Sequence, residues 1–564
     1  MLGGPMLEIK PDDSFFIEPG TALLILEAEN LLASVPMEAS PLRRNSDSRK
    51  RLIHWDTRKL NAHSEPCVFV ALKTSRFDAH SHTEELLSQG HVVIAQDDAL
   101  QELAHAQGTP EWYEAIKQHP CLIITTSSHK ARDLLLYVVS ALQQTEWTTL
   151  AITGTNGKTS TTQIASQMLE DLSQKSVLRI GTLGVQVAGV SAANHYPTMP
   201  DFPGLLSAFI HAGSLYDCRQ TVMEATSIGL CENRMGLWQS QSAAFLNFSQ
   251  DHLDYHGNMD AYFQAKLDLF RKHLTPHGHV VLNCTDPLWQ RVMESAQRKS
   301  RFCIGFGTPV EKLNFFNFSD GKFSDCLYLE RTHTQSSVHG ISGYWTLWND
   351  RQRCTGPVQY QVPLLGDVQH ENLSASAALM VSLGYPIQQI STATQSVRAI
   401  AGRLEPALIA TTKKDIPSVL IDYAHSPDAL EKTLSTCKRL LTKGGRLICV
   451  FGCGGDRDAT KRPLMGETAS RLADIVWITS DNPRTESPES IIHDIISGIA
   501  NNKSEFIHAE PDRRKAVFDA INSARAHDIV LIAGKGHEDY QIIGEKKLPF
   551  SDLSVAQEAL KHLT

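Results

Sequence analysis

The sequence predicts an α/β protein of three domains, and three observations carry that expectation. Its 564 residues exceed what one hydrophobic core serves, because single cores stop growing beyond roughly 250–300 residues. Toward both ends of the chain, short apolar runs alternate with helix-like stretches, the pattern of parallel sheets covered by helices. Between them, Leu150–Thr162 (LAITGTNGKTSTT) places an apolar run, a glycine turn and a helix start in immediate succession. The expected boundaries are 1–146, 147–402 and 403–564.

Composition narrows the class. The chain is 42% hydrophobic and 20% charged, as globular proteins are, and shows no fixed-period repeat. Its longest apolar runs are of strand length, so no membrane span is expected. Met1–Pro36 has no basic segment followed by an apolar core, which speaks against a secretory signal and for a cytoplasmic protein. Eleven cysteines lie scattered without a paired framework, Cys449 and Cys453 being nearest in sequence. They read as free thiols in a reducing compartment. A net charge of −9 offers no basic footprint for nucleic acid.

In the first domain, Cys67–Leu72, His91–Ala95 and Cys121–Ile124 are strand candidates. HTEELLSQG between the first two is helix-like, with Gly90 as its stop, and Met37–Arg51 reads as a polar surface loop. None of these residues reveals a chemical role by itself.

The central domain opens with Gly154, Thr155, Asn156 and Gly157, followed by Lys158, Thr159 and Ser160. Loop N–H groups and a helix N-terminus make an anion site, Lys158 reaches toward phosphates, and the Thr159 hydroxyl suits a magnesium ion. Ile152 stands where the longer phosphate-loop pattern has glycine, so this is a shortened G-x-x-G-K-[ST] form. An ordinary glycine turn is the alternative; the strand before and the helix-forming IASQMLEDL after favour ATP. Gln220–Glu224 and Ala243–Leu246 read as strands. Ligands sit beyond the carboxyl ends of parallel strands, which brings Glu224 and His252 toward the loop as ligands of a cation bridging ATP phosphates. Taken singly, Glu224 reads as an ordinary surface charge and His252 as a helix-start residue; taken with the loop, both read as metal ligands. Lys266 lies among Tyr262, Phe263, Leu267 and Phe270, and from these neighbours alone reads as a surface lysine laying its stem over apolar side chains. Asn314–Cys354 is polar with short aromatic segments, an antiparallel subsheet or excursion.

In the last domain, Val419–Ala424, Leu447–Phe451, Asp474–Thr479, Phe506–Ile507 and Ile529–Ala533 are strands. Pro427 opens a helix with Leu430, Leu434, Cys437 and Leu441 on one face, stopped by Gly444 and Gly445. Repeated βαβ units make a second doubly wound, Rossmann-like sheet. GCGGDRD (Gly452–Asp458), DNPR (Asp481–Arg484) and GKGHE (Gly534–Glu538) all follow strands and open onto one rim. Arg457 and Arg484 there suggest an anionic small molecule, or else structural ion pairs.

GTNGKT, DHLDYHG (Asp251–Gly257), YFQAKLDLF (Tyr262–Phe270), GRLE (Gly402–Glu405), DYAHSPDALEKTL, GCGGDRDATKRPLM, SDNPR and AGKGHEDYQ together resemble the Mur ligases. The resemblance is collinear from about Thr149 to the C-terminus, and within the family it points to the members that add diaminopimelate. It implies an N-terminal domain for a UDP-muramoyl dipeptide, a central phosphate-loop ATPase-like domain and a C-terminal amino-acid-binding domain. It also implies a monomer that uses ATP and magnesium to form an acyl phosphate on the D-glutamate carboxylate. Glu224 and His252 then match metal ligands, and Lys266 the lysine that becomes an N6-carboxylysine, an anion able to bind a second magnesium. Asn283 and Asn372 match adenine-side positions, and Arg403 and Asp422 positions where the last domain meets the nucleotide. Arg484 matches the arginine that pairs with the distal carboxylate of diaminopimelate, with Arg457, Asp481, Asn482, Pro483, Gly534 and Glu538 as further contacts. A ligase adding L-lysine or another amino acid is the alternative within the fold. On the muramoyl-peptide side, Thr57, Thr198, Met199, Thr226, Glu232 and Arg234 are the matching positions. Here the chain departs from the family: Thr198-Met199-Pro200 replaces Thr-Thr-Pro, and Ile228 stands where histidine is usual. Asp47-Ser48-Arg49 competes with Asp56-Thr57-Arg58 for the uridine contact.

Overall fold

The computed structural model describes residues 66–563 except 74–76, 108, 120, 140–145, 192–197, 297–299, 301, 320–322, 324, 350, 411–415 and 501–505, together with residues 16–17, 22, 32–34 and 51–54. Thr57, both candidate uridine motifs and most of the Met37–Arg51 loop fall outside the described residues. The chain forms two compact units. The first comprises residues 1–151, 175–241 and 252–276; the second comprises 152–174, 242–251 and 277–564.

The first unit contains the expected N-terminal sheet. Arg51–His54, Val68–Val70, Val92–Gln96 and Leu122–Thr125 run parallel in that spatial order, with short antiparallel strands at the two edges. Val68–Val70, Val92–Ala95 and Leu122–Ile124 are uninterrupted apolar runs, buried on both faces. Helix Thr83–Ser88 ends near Gly90, whose φ of +83° is the left-handed turn that the glycine was expected to supply. The same unit holds Leu178–Gly181 parallel to Gln220–Glu224. It also holds helix Met259–Lys272, which Asn258 caps by accepting from the Ala261 N–H at 2.9 Å.

In the second unit, helix Lys158–Ser173 follows the phosphate loop, and the His279–Asn283 part of strand Leu274–Asn283, Phe302–Gly307 and Asp325–Ser337 run parallel. Asp325–Ser337 and Gly340–Asn349 then pair antiparallel, so the expected subsheet is present, although its first residues belong to helix Pro309–Ser319. The C-terminal sheet has the order Glu405–Pro406, Ser418–Asp422, Ile529–Ala533, Leu447–Phe451, Ile475–Ile478, Ile507–Ala509, parallel except at its first strand. Buried side chains line both of its faces. Helix Pro427–Leu440 buries Leu430, Leu434, Cys437 and Leu440. Leu441, expected on that face, is instead the residue that ends the helix and packs only partly against the core. Hairpin Tyr540–Ile543/Lys546–Pro549 was not expected from the sequence. All eleven cysteines are free thiols, and no described helix is long and apolar enough to cross a membrane.

Candidate active site

The phosphate loop is built by its neighbours in the second unit. Thr155 donates its N–H to the Asn247 carbonyl at 2.9 Å and its hydroxyl to the Ser249 carbonyl at 3.1 Å. Asn156 and Asn247 exchange two further bonds, N–H to Oδ1 at 2.8 Å and Nδ2 to carbonyl at 3.1 Å. Gly157 has φ +86°, and a methyl group there would collide with Asn372 Oδ1, so glycine is required on both counts. The Lys158 ammonium donates to the carbonyls of Gly154 at 2.9 Å and Thr155 at 2.8 Å, folded back over its own loop. Thr159 and Ser160 are buried at the helix start.

Asn283 and Asn372 belong to the same unit as the loop. Asn283 donates to the Leu246 carbonyl at 2.8 Å and accepts from the Thr285 hydroxyl at 2.8 Å. Asn372 Oδ1 accepts from the Thr161 hydroxyl at 3.3 Å. Asp422 accepts from the N–H groups of Leu404 (2.8 Å) and Ala424 (3.0 Å), locking GRLE to the end of the first long C-terminal strand. Burial pushes its carboxyl up, against the pull of Arg403. The Arg403 guanidinium lies over the Tyr423 ring, 5.2 Å from its centroid.

The three C-terminal loops do share a rim. A methyl group on Gly534, at φ +115°, would lie 2.7 Å from Asp481 Oδ2. One on Gly454 would lie 3.2 Å from Arg484 Nη1 and 3.7 Å from Arg457 Cγ, which places both arginines beside the same glycine. Arg457 is exposed; Arg484 is half-buried with φ +52° and donates Nη1 to the Gly455 carbonyl at 2.6 Å. Pro483 is buried against Gly455, and the Gly455 N–H donates to the Asn482 carbonyl at 2.9 Å. Asn482 Oδ1 accepts from the Ile542 N–H at 2.9 Å, and its Nδ2 donates to Glu538 Oε2 at 3.0 Å. Neither Arg457 nor Arg484 forms an ion pair with a described carboxylate, so the structural-pair alternative fails for both.

The first unit presents the remaining candidates. Glu224 is 1% exposed, which removes the surface-charge alternative. Its oxygens accept from the Thr182 N–H at 2.8 Å and hydroxyl at 3.2 Å, and Thr182 Oγ1 lies 3.5 Å from Thr198 Oγ1. Arg234 donates to the Met199 carbonyl and to Glu232 Oε2, both at 2.8 Å, so these three candidates form one clamp. Thr226 caps helix Ser227–Cys231 by accepting from the Gly229 N–H at 3.1 Å. Lys266 is 1% exposed with its ammonium 4.5 Å from the Tyr262 ring centroid, so it is a buried lysine and not the surface one its neighbours suggested. The His252 ring meets the same tyrosine edge-on at 6.1 Å.

Among the described residues, no three His, Cys, Asp or Glu side chains gather into a metal-holding group. Glu224 nevertheless suits a hard cation. Glu224 is a buried carboxylate held by two neutral donors with no ion pair among the described residues, a charge that magnesium would compensate.

Several residues that shape the site escaped the sequence reading. Thr182 carries no motif. Asn247 lies just past the Ala243–Leu246 run and carries no motif of its own. Lys535 lies inside GKGHE but was counted as loop. Gln541, whose Nε2 donates to the Asp481 carbonyl at 2.8 Å, belongs to the unexpected hairpin.

Comparison with known proteins places these features in context. The Mur ligase middle domain matches residues 152–380, and the Mur ligase, glutamate ligase domain matches residues 402–536. The UDP-N-acetylmuramoyl-L-alanyl-D-glutamate–2,6-diaminopimelate ligase of Thermosynechococcus vestitus is 34% identical, over 90% of this chain and 94% of the relative. The ligase of the same name from Neisseria meningitidis is 34% identical, again over 90% and 94%. A solved structure of a ligase with this name superposes with a TM-score of 0.61 at 28% identity, covering 91% of this chain and 94% of that one.

Proposed function

The chain belongs to the Mur ligase family, and from that premise we propose that it joins meso-diaminopimelate to the D-glutamate of UDP-N-acetylmuramoyl-L-alanyl-D-glutamate at the expense of ATP. The γ-phosphoryl group passes to the glutamate side-chain carboxylate, giving an acyl phosphate and ADP. The amine of diaminopimelate attacks the acyl carbon and gives up a proton; the tetrahedral intermediate then expels phosphate and leaves the amide. The protein supplies no nucleophile, so its work is positioning and charge stabilisation. The product is a peptidoglycan precursor, made by a monomer in the cytoplasm and needed for cell shape and division.

We assign the residue roles by the family resemblance. Gly154–Ser160 hold the phosphates, with Lys158 turning from its loop carbonyls toward them, and Asn283, Asn372, Arg403 and Asp422 frame the nucleotide. As candidate magnesium ligands we assign Thr159 in the second unit and, in the first, Glu224, His252 and Lys266 as its carbamate; bound magnesium would neutralise charge on the transferring phosphoryl group. Thr198, Met199, Thr226, Glu232 and Arg234 receive the muramoyl dipeptide. The division into UDP-muramoyl-peptide, ATP and amino-acid domains at 146 and 402 accompanies this assignment.

The observation that carries the choice of amino acid is Arg484. Its guanidinium stands beside Gly454, as does Arg457, while Glu538 is bound to Asn482 of the same DNPR loop, so the rim offers a fork for a carboxylate and a partner for an ammonium. The distal end of diaminopimelate offers both charges; lysine offers only one. The test is phosphate release with the muramoyl dipeptide and either amino acid. Release requiring both dipeptide and diaminopimelate is expected, and preference for lysine would overturn the assignment.

A further inference from the structure

Lys535 is fully buried, and its ammonium collects three side-chain oxygens: Asn482 Oδ1 at 3.1 Å, Glu538 Oε2 at 3.1 Å and Asp481 Oδ1 at 3.4 Å. The first and last come from DNPR, the second from its own loop, so one side chain ties the two loops together. Asn482 Nδ2 also donates to Glu538 Oε2, closing a ring through lysine, amide and carboxylate. We infer that Lys535 is a positioning residue that sets the charge of the amino-acid site, and with it the preference for a zwitterionic side chain over a cationic one; this rests on the assignment of the site to diaminopimelate.

The argument is one of charge and reach. Asp481 and Glu538 place two carboxylates on one rim, which by themselves would attract any cationic side chain. Lys535 is a cation within hydrogen-bond range of both. It therefore cancels one negative charge while leaving the second Glu538 oxygen for a substrate ammonium. Arg484, on the same DNPR loop, then adds a guanidinium to a rim whose remaining demand is for one carboxylate and one ammonium. Without Lys535 the rim becomes one unit more negative, which discourages the distal carboxylate and rewards lysine. The side chain is the right one for this task, since a buried ammonium with three oxygen partners has no motion left to reach a ligand itself.

The experiment compares Lys535→Met, Lys535→Gln and Lys535→Arg with the wild-type protein, measuring KM for ATP and kcat/KM for diaminopimelate and for lysine. Both neutral variants should raise KM for diaminopimelate at least tenfold and lower the diaminopimelate-to-lysine ratio at least tenfold, with KM for ATP within twofold. Lys535→Arg, which keeps the charge, should restore most of the ratio. An unchanged ratio in the neutral variants, or parallel rises in KM for ATP and diaminopimelate, overturns the inference. Should Lys535→Met fail to fold, Lys535→Gln decides by the same criteria, and an unfolded Lys535→Gln makes the residue structural and overturns the inference too. The wild-type protein separates this test from the functional one. If it shows no diaminopimelate-dependent phosphate release, the assignment itself falls; if it shows such release and the variants keep its ratio, only the role of Lys535 falls.

Discussion

Arg513 and Asp552 form an ion pair sealed from solvent, with Nε and Nη2 donating to the two carboxylate oxygens at 2.8 and 2.7 Å. The same guanidinium donates to the carbonyls of Ser480 at 3.1 Å and Ala533 at 3.0 Å, the residues immediately before DNPR and GKGHE. A single side chain thus fixes where two substrate loops leave the sheet. Asp552→Ala would strand a buried guanidinium, which typically costs about 3–5 kcal/mol. Denaturant unfolding should show that loss, with KM for the amino acid rising more than KM for ATP. A variant as stable as the wild type would mean that the pair is replaceable by solvent.

Much of this could be read in advance, and the boundary has a physical cause. Strands such as Val92–Gln96 and Ile529–Ala533 are apolar on both faces, and a glycine such as Gly157 announces its own backbone angle. The rim formed by Gly452, Asp481 and Gly534 was legible because each loop follows a parallel strand. Arg513 was not legible, since an arginine at a helix start looks the same whether it meets water or Asp552, 39 residues away. Lys266 shows the same limit: helical spacing gives its neighbours on the helix but not what covers them.

Arg484 adopts φ +52°, donates to the Gly455 carbonyl and is flanked by hairpin bonds, its N–H to the Ile542 carbonyl at 3.1 Å and its carbonyl from the Gly544 N–H at 2.7 Å. Alanine pays the same left-handed backbone cost as arginine, so Arg484→Ala tests the guanidinium and little else. Loss of a charged hydrogen-bonded pair is worth about 1.5–3 kcal/mol, or roughly 10- to 100-fold in kcat/KM for diaminopimelate. ATP binding should be unaffected. Equal losses for both ligands would make Arg484 a structural residue.

Asp133 accepts from Arg132 at 2.6 Å and from Asn233 Nδ2 at 3.3 Å, beside the Glu232–Arg234 clamp. Burial pushes its pKa up to about 6, against the opposing pull of Arg132. The folded state therefore holds this proton more tightly than the unfolded chain. The stability it contributes is complete below about pH 4 and is lost as pH rises through 6, a change of about 2–3 kcal/mol. Asp133→Asn, permanently neutral, should lack that slope, so its stability relative to wild type should improve by this amount between pH 4 and pH 7. Parallel stability curves would show that the carboxyl titrates normally.

Lys266 carries the most demanding prediction. Lys266 is 1% exposed, with its ammonium over the Tyr262 ring. Reaction of the neutral amine with carbon dioxide would form a carbamate and release a proton, turning that cation into an oxygen ligand for magnesium. Charge reversal of this kind cannot be mimicked by another cation. Lys266→Arg should therefore be as inactive as Lys266→Ala, each losing roughly 3–4 kcal/mol of transition-state stabilisation or more. Only the alanine variant leaves space for a small acid, so acetate or formate should restore part of its activity and none of that of Lys266→Arg. The magnesium requirement of the rescued enzyme should rise, because the added carboxylate is not tethered. An active Lys266→Ala protein, or equal rescue of both variants, would exclude the carbamate.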